Sequence, residues 1–168
     1  MKIKFANYKN GLHQFDFESN VEGLGIEDKF IGNVLLNCEM DKSSTQIIIS
    51  CDLQATAKHI CDRCTVEFEE EITTDFKNIY FFSQNKSNDE VDESGIYYLS
   101  RDDDKIDLSS DTVENAIFAI PMKILCKEDC KGLCSICGKN QNEKKCNCEV
   151  DTSNPVWDKL LELKGKLN

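Results

Sequence analysis

Eight of the ten cysteines fall into four closely spaced pairs, Cys61/Cys64, Cys126/Cys130, Cys134/Cys137 and Cys146/Cys148. A short-spaced pair supplies two thiolates from one turn, and four thiolates complete a tetrahedral structural zinc site. Four pairs therefore suit one or two zinc ions. Three of the pairs crowd into residues 126–148, where Leu133 and Ile136 are the only sizeable apolar side chains. Ordering such a backbone costs roughly 1–2 kcal/mol per residue, with little apolar burial to offset it. Structural zinc, with apparent binding free energies of about 10–16 kcal/mol, is large enough to hold the segment. Disulfides are the competing explanation. Residues 1–9 contain no apolar run resembling a secretory signal, and no stretch of about 20 apolar residues is present to span a bilayer. The expectation is a cytoplasmic chain without membrane association, whose clustered thiols stay reduced.

The pairs combine most simply by proximity. Gly138 directly follows Cys137 and permits the tight turn of a zinc knuckle, for which Cys146 and Cys148 are the nearest complement. Cys61, Cys64, Cys126 and Cys130 then form the other site and fasten the cysteine-rich segment to the tip of a β-hairpin. Cys146 and Cys148 are separated by one residue, so a spare thiol or a shared cluster stays open as an alternative. Cys38 and Cys51 occupy inward positions of alternating strands and read as free core thiols. His59, two residues before Cys61, reads as a cover for the hairpin rather than a ligand.

An enzyme needs a nucleophile, an acid/base pair or an open metal position. The sequence offers no Gly-rich phosphate loop, no His-Glu-x-x-His and no serine elbow. No catalytic residue and no small-molecule substrate are expected. Cys61-Asp62-Arg63-Cys64 has the spacing of a redox motif, and Arg63 beside it would lower a thiol pKa. Such a motif opens a helix in a βαβ unit, however, whereas this one sits between two strands.

The formal net charge is −11, which argues against indiscriminate adhesion to nucleic acid or anionic membranes. The charge is uneven: residues 1–120 carry a net −13 and residues 121–168 a net +2. Lys123, Lys127, Lys131, Lys139, Lys144 and Lys145 surround the cysteines. They neutralise thiolates, and Lys127, Lys131, Lys139, Lys144 and Lys145 are also candidates for phosphate contacts.

The elements that must position these cysteines are mostly strands. The sequence predicts an α+β chain, mainly antiparallel sheet (barrel- or sandwich-like), with one packed helix, a small zinc-knuckle appendage and a C-terminal helix. Residues 1–125 form the β domain, including an amphipathic helix at 111–120, and residues 126–168 the knuckle and tail helix. Residues 2–8 and 11–17 suggest a hairpin about Asn10-Gly11, and residues 19–28 a loop. Val34, Leu36, Cys38 and Met40 alternate with polar neighbours. Residues 45–58 alternate with a period of two, Ile47, Ile49, Cys51 and Leu53 facing one way and Ser50, Asp52 and Gln54 the other, as in a sheet with one wet face. Residues 65–82 place Val66, Phe68, Ile72, Phe76, Tyr80 and Phe82 on one face. Residues 83–95 read as a polar loop, 96–99 as a strand, and Asp102-Asp103-Asp104 as a solvated turn. Asp111 with Glu114 has capping-box spacing, and Val113, Ala116, Ile117 and Ile120 form a stripe that Pro121 ends. Asn154 and Pro155 open the tail helix carrying Val156, Trp157, Leu160, Leu161 and Leu163.

Cys61-Asp-Arg-Cys64 followed by Val-Glu-Phe, the helix ending Ala119-Ile120-Pro121, the run Leu125-Cys126 through Cys137-Gly138, and Asn154-Pro-Val-Trp-Asp-Lys-Leu together carry a likeness. The chain resembles the bacterial YceD family of large ribosomal RNA subunit accumulation proteins, most specifically in the Cys-x-Arg-Cys element and residues 116–160. The resemblance implies a noncatalytic cytoplasmic accessory factor in synthesis, processing or accumulation of 23S ribosomal RNA, with the large-subunit precursor (ribosomal RNA, basic ribosomal proteins, or both) as partner. Two other readings stand beside it. One is a thiol-redox or metal-sensing protein using Cys61 and Cys64. The other is a zinc-ribbon adaptor of another complex.

Overall fold

The computed structural model describes residues 1–82, 95–100 and 102–148. The tail helix expected from Asn154 and all but the last residue of the loop expected at 83–95 lie outside these residues. The described strands are β1 (Lys2–Ile3), β2 (Gly11–Asn20), β3 (Phe30–Lys42), β4 (Gln46–Ile60), β5 (Glu67–Phe82), β6 (Ile96–Leu99) and β7 (Ile106–Asp107). The helices are α1 (Val21–Leu24) and α2 (Ser109–Phe118), with a 3-10 turn at Phe5–Asn7. β2 to β6 make one five-stranded sheet in the order β2-β3-β4-β5-β6, and β1 pairs with β7 in a second, two-stranded sheet. β2 and β4 both run antiparallel to β3, while β6 lies parallel to β5. The described strands close no barrel, so of the expected architecture the mainly antiparallel sheet stands and the barrel does not.

The alternation read from the sequence is what builds the sheet. Val34, Leu36, Met40, Ile47, Ile49 and Leu53 are fully buried on one face, and Asn37, Glu39, Ser50, Asp52 and Gln54 are exposed on the other. Each such apolar side chain contributes about 1.5–3 kcal/mol by leaving water. Gly32 takes the left-handed conformation, φ 72°, where the β3–β4 register shifts between Ile31 and Leu35. A bulge there realigns the strands without turning the apolar residues outward.

Several expectations are corrected. Residues 2–8 and 11–17 form no hairpin: Ile3, 1% exposed, pairs with Ile106 and places its side chain in the core, a stronger demand than the local turn signal. The expected loop at 19–28 contains α1, capped by the Asn20 side chain accepting from the Glu22 amide and closed by left-handed Gly25. The capping box at Asp111 does not form, because the helix starts earlier and Asp107 accepts from the Ser109 amide instead. Asp111 lies inside α2, nearly buried, and accepts the Tyr97 hydroxyl, tying α2 to β6. Burial, then this carboxylate, push the Tyr97 phenol well above its ordinary pKa. Ile117 of the expected stripe is partly exposed, as are Val66 and Phe82 at the two ends of the β5 stripe. Cys38 and Cys51 are buried as expected but not free. They face each other in the β3–β4 register and are joined by a disulfide.

The chain divides into two compact units, one of Met1–His59 with Glu67–Ile124, the other of Ile60–Val66 with Leu125–Asn168. The turn between β4 and β5 thus groups with the cysteine-rich segment and not with the β unit. Truncating Leu53 to Ala in the first unit is expected to cost about 2–5 kcal/mol in chemical denaturation. Metal content per chain should stay unchanged, because no cysteine of the second unit is touched.

Candidate metal centres

The turn after β4 is built to present sulfur. Thr65, at φ 57° the one described non-glycine residue with positive φ, reverses the chain, with its amide donating to the Cys61 carbonyl and the Cys61 amide to Val66. Arg63 links this turn to the segment after Leu125. Its carbonyl accepts from the Leu133 amide, and its Nη1 donates to the Cys130 carbonyl at 2.8 Å. Gly132 makes the close approach possible: it sits at φ 73°, and a Cβ there would lie 3.0 Å from the Arg63 carbonyl oxygen.

These contacts bring Cys61, Cys64, Cys126 and Cys130 together, all four Sγ atoms within 4.8 Å of one another. Cys61 Sγ lies 3.7 Å from Cys130 Sγ, and Cys64 Sγ 3.5 Å from Cys126 Sγ. Four sulfurs about 2.3 Å from a central zinc would be about 3.8 Å apart along each tetrahedral edge, so these spacings suit coordination. Asn142 supports the quartet from outside. Its Nδ2 donates to Cys130 Sγ at 3.2 Å while its Oδ1 accepts from the Lys131 amide. Outer contacts of this kind fix ligand orientation.

Cys134, Cys137, Cys146 and Cys148 form the second quartet, again within 4.8 Å. The Cys134 amide donates to Lys139 and the Gly138 amide to Cys134, a turn in which Gly138 adopts φ 68°. Leu133 and Asn140 bridge antiparallel across its base. Cys134 is buried, Cys146 and Cys148 half-buried and Cys137 exposed, so this centre is more open than the first.

Proton affinities within each quartet diverge as expected of crowded like charges. Burial pushes the Cys61 thiol up, but amide hydrogen bonds from Cys126, Cys64 and Arg63 outweigh it and lower the pKa to about 6. Burial, with the neighbouring sulfurs, pushes Cys126 up to about 12. In the second quartet the amides of Cys137 and Ile136 lower Cys134 to about 6, whereas a hydrogen bond with Cys137, and burial, push Cys148 up to about 12. Four thiolates cannot coexist at these distances without a cation. Each set offers four thiol ligands and is compatible with zinc.

His59 joins neither quartet. It is buried on β4 with Nε2 lacking a hydrogen bond and 3.8 Å from the Glu70 carboxylate. Lys127, Lys131, Lys139, Lys144 and Lys145 are all exposed, and Lys131 and Lys145 line a cavity of about 310 Å³ with Gln141, Cys134, Cys146 and Cys148. Asn142 carries no sequence signal as a supporting residue, since asparagine in a polar loop is unremarkable until the fold aims it at sulfur. Gly132 drew no reading from the sequence either, although a glycine between cysteines is the residue type that permits a close backbone approach.

Fold and site define a β protein carrying a small unit built around two cysteine quartets. The family model for the large ribosomal RNA subunit accumulation protein YceD matches residues 49–164, which include all eight of these cysteines. The chain belongs to this family. No curated protein and no solved structure matches it. The family's description ties it to accumulation of large-subunit ribosomal RNA. Among the described residues, no helix is long and apolar enough to cross a membrane.

Two measurements test the centres. Metal binding must displace protons from thiols such as Cys126 and Cys148, so affinity should fall as pH falls, read as zinc release to a chromophoric chelator. Release that is insensitive to pH would exclude thiolate ligation. Gly132→Ala, strained at positive φ and crowding the Arg63 carbonyl, should weaken metal uptake by the Cys61/Cys64/Cys126/Cys130 quartet. Chelator competition against the parent protein measures the loss.

Proposed function

We propose that this protein is a noncatalytic, zinc-binding accessory factor of the cytoplasm, acting in synthesis, processing or accumulation of 23S ribosomal RNA and so in biogenesis of the large ribosomal subunit. One observation carries the reading: two cysteine quartets, in a chain of the YceD family, lie beside five exposed lysines. One zinc ion in each quartet orders the segment around Leu133 and Ile136. These side chains are 38% and 57% exposed, so the segment obtains little from apolar burial. The zinc is structural: four protein ligands leave no open position for a reacting water. Lys127, Lys131, Lys139, Lys144 and Lys145 then meet ribosomal RNA phosphate, a contact that weakens as salt rises. The acidic β unit faces basic ribosomal proteins of the same precursor.

The redox alternative is disfavoured by the sulfur contacts. Cys61 and Cys64 are 1% and 3% exposed, and each has a close sulfur neighbour in the Cys126–Cys130 loop. A dithiol that exchanges with substrates needs one accessible thiolate.

Depleting the protein in cells is expected to lower mature 23S relative to 16S ribosomal RNA. Complementation by a chain with Cys134→Ser and Cys137→Ser reports whether the second centre takes part. An unchanged ratio on depletion overturns the reading.

A further inference from the structure

β2 is an edge strand of ten residues, bounded on one side by β3 and on the other by no described strand. The 4.1 Å Cα separation of Cys38 and Cys51 is that of a non-hydrogen-bonded pair in the antiparallel β3–β4 ladder. The backbone of Cys38 therefore bonds towards β2, where its partner is Phe15. It follows that the amides and carbonyls of Gln14, Asp16 and Glu18 turn outward along the open edge. Their side chains lie on the wet face of the sheet. Asp16, Asn37 and Asp52 share one cross-strand row and Gln14, Glu39 and Ser50 the next. These two rows form the floor of a shallow cleft of about 390 Å³. Asp16, Glu39 and Asp52 have no ion-pair partner among the described residues. On the opposite face of β2, Phe15 and Phe17 are half-buried and stacked, their centroids 6.3 Å apart.

From these observations we infer that the open edge of β2 takes up an extended segment of a basic polypeptide, with lysine or arginine at every second position. The segment hydrogen-bonds to the backbone of Gln14, Asp16 and Glu18. Residues paired opposite one another in a ladder point to the same face. The basic side chains thus fall beside Asp16 and Glu18 and reach into the cleft, while the intervening residues cover Phe15 and Phe17. A guanidinium there meets two carboxylates with its planar fork. The occupant is not a second copy of this chain, because pairing β2 with β2 sets Asp16 and Glu18 against like charges. The same charges repel RNA phosphate. The partner's source in the large-subunit precursor rests on the proposed function, but the edge and its chemistry do not.

The test uses the full chain and a labelled peptide alternating arginine with valine, alongside an isomer of the same composition with its arginines in one block. The alternating peptide should bind the more tightly, and added salt should weaken it. Gln14→Pro removes only an outward amide, which an edge strand tolerates, and should weaken binding roughly tenfold. Asp16→Lys with Glu18→Lys should do at least as much while leaving every backbone group in place, which keeps the test valid should the proline variant not fold. Equal binding of the block isomer, unchanged binding by both variants, competition by single-stranded RNA for the peptide's site, or self-association abolished by Gln14→Pro each overturns the inference. The assay contains no ribosomal component, so its failure leaves the 23S reading standing, and a failed depletion experiment leaves this one standing.

Discussion

Between Cys126 and Cys148 the polypeptide has almost nothing to bury, and that shortage governs the arrangement of its sulfurs. Leu133 and Ile136 both remain partly in water, so apolar burial contributes little to ordering some twenty polar residues that each cost roughly 1–2 kcal/mol. What the described structure offers instead is sulfur at coordination distance, four atoms in each of two places. Bound zinc, as proposed, supplies the missing free energy and outweighs the burial that otherwise keeps Cys126 protonated and the Cys137 hydrogen bond that does so for Cys148. The remaining features of the unit serve that arrangement. Thr65 turns the chain back, Gly132 lets Arg63 approach, and Asn142 holds Cys130 from outside.

The β unit is stabilised by different means. Its strands bury a continuous apolar face, a disulfide crosses β3 and β4 within it, and the polar face is strongly acidic. One chain therefore combines a unit stabilised by hydrophobic burial with one whose stability, as proposed, depends on bound zinc. The charge follows the same division: acidic on the sheet, and lysine-bearing around the second quartet. Under the proposed function such a separation suits a factor that meets both RNA and basic protein, since each surface repels the other's partner.

Some of this was legible from residue order. Long alternating strands announce themselves because a period of two maintained over a dozen positions has no competing explanation, and β3, β4 and β5 lie where that period is clearest. The short elements were not legible. Two residues of β1 carry no periodicity, and only the core's need for Ile3 decides that they pair with β7. The start of α2 was misplaced for a related reason: Asp111 and Glu114 have the spacing of a cap, but Tyr97, distant in sequence, draws Asp111 into the helix interior. Cys38 and Cys51 could be assigned to a buried face from alternation, whereas their bond depends on a register that no local pattern specifies.

The sequence by itself determined that eight cysteines would act in pairs and that the segment holding three of those pairs could not order itself by burial. Ligand spacing and the scarcity of apolar side chains are properties of the chain and need no fold to be read. Only the tertiary structure decided which residues support the expected quartets, and that the turn between β4 and β5 belongs with the cysteine-rich unit. Those outcomes depend on contacts between positions more than sixty residues apart, such as Cys61 with Cys130, and no local preference encodes a distance of that kind.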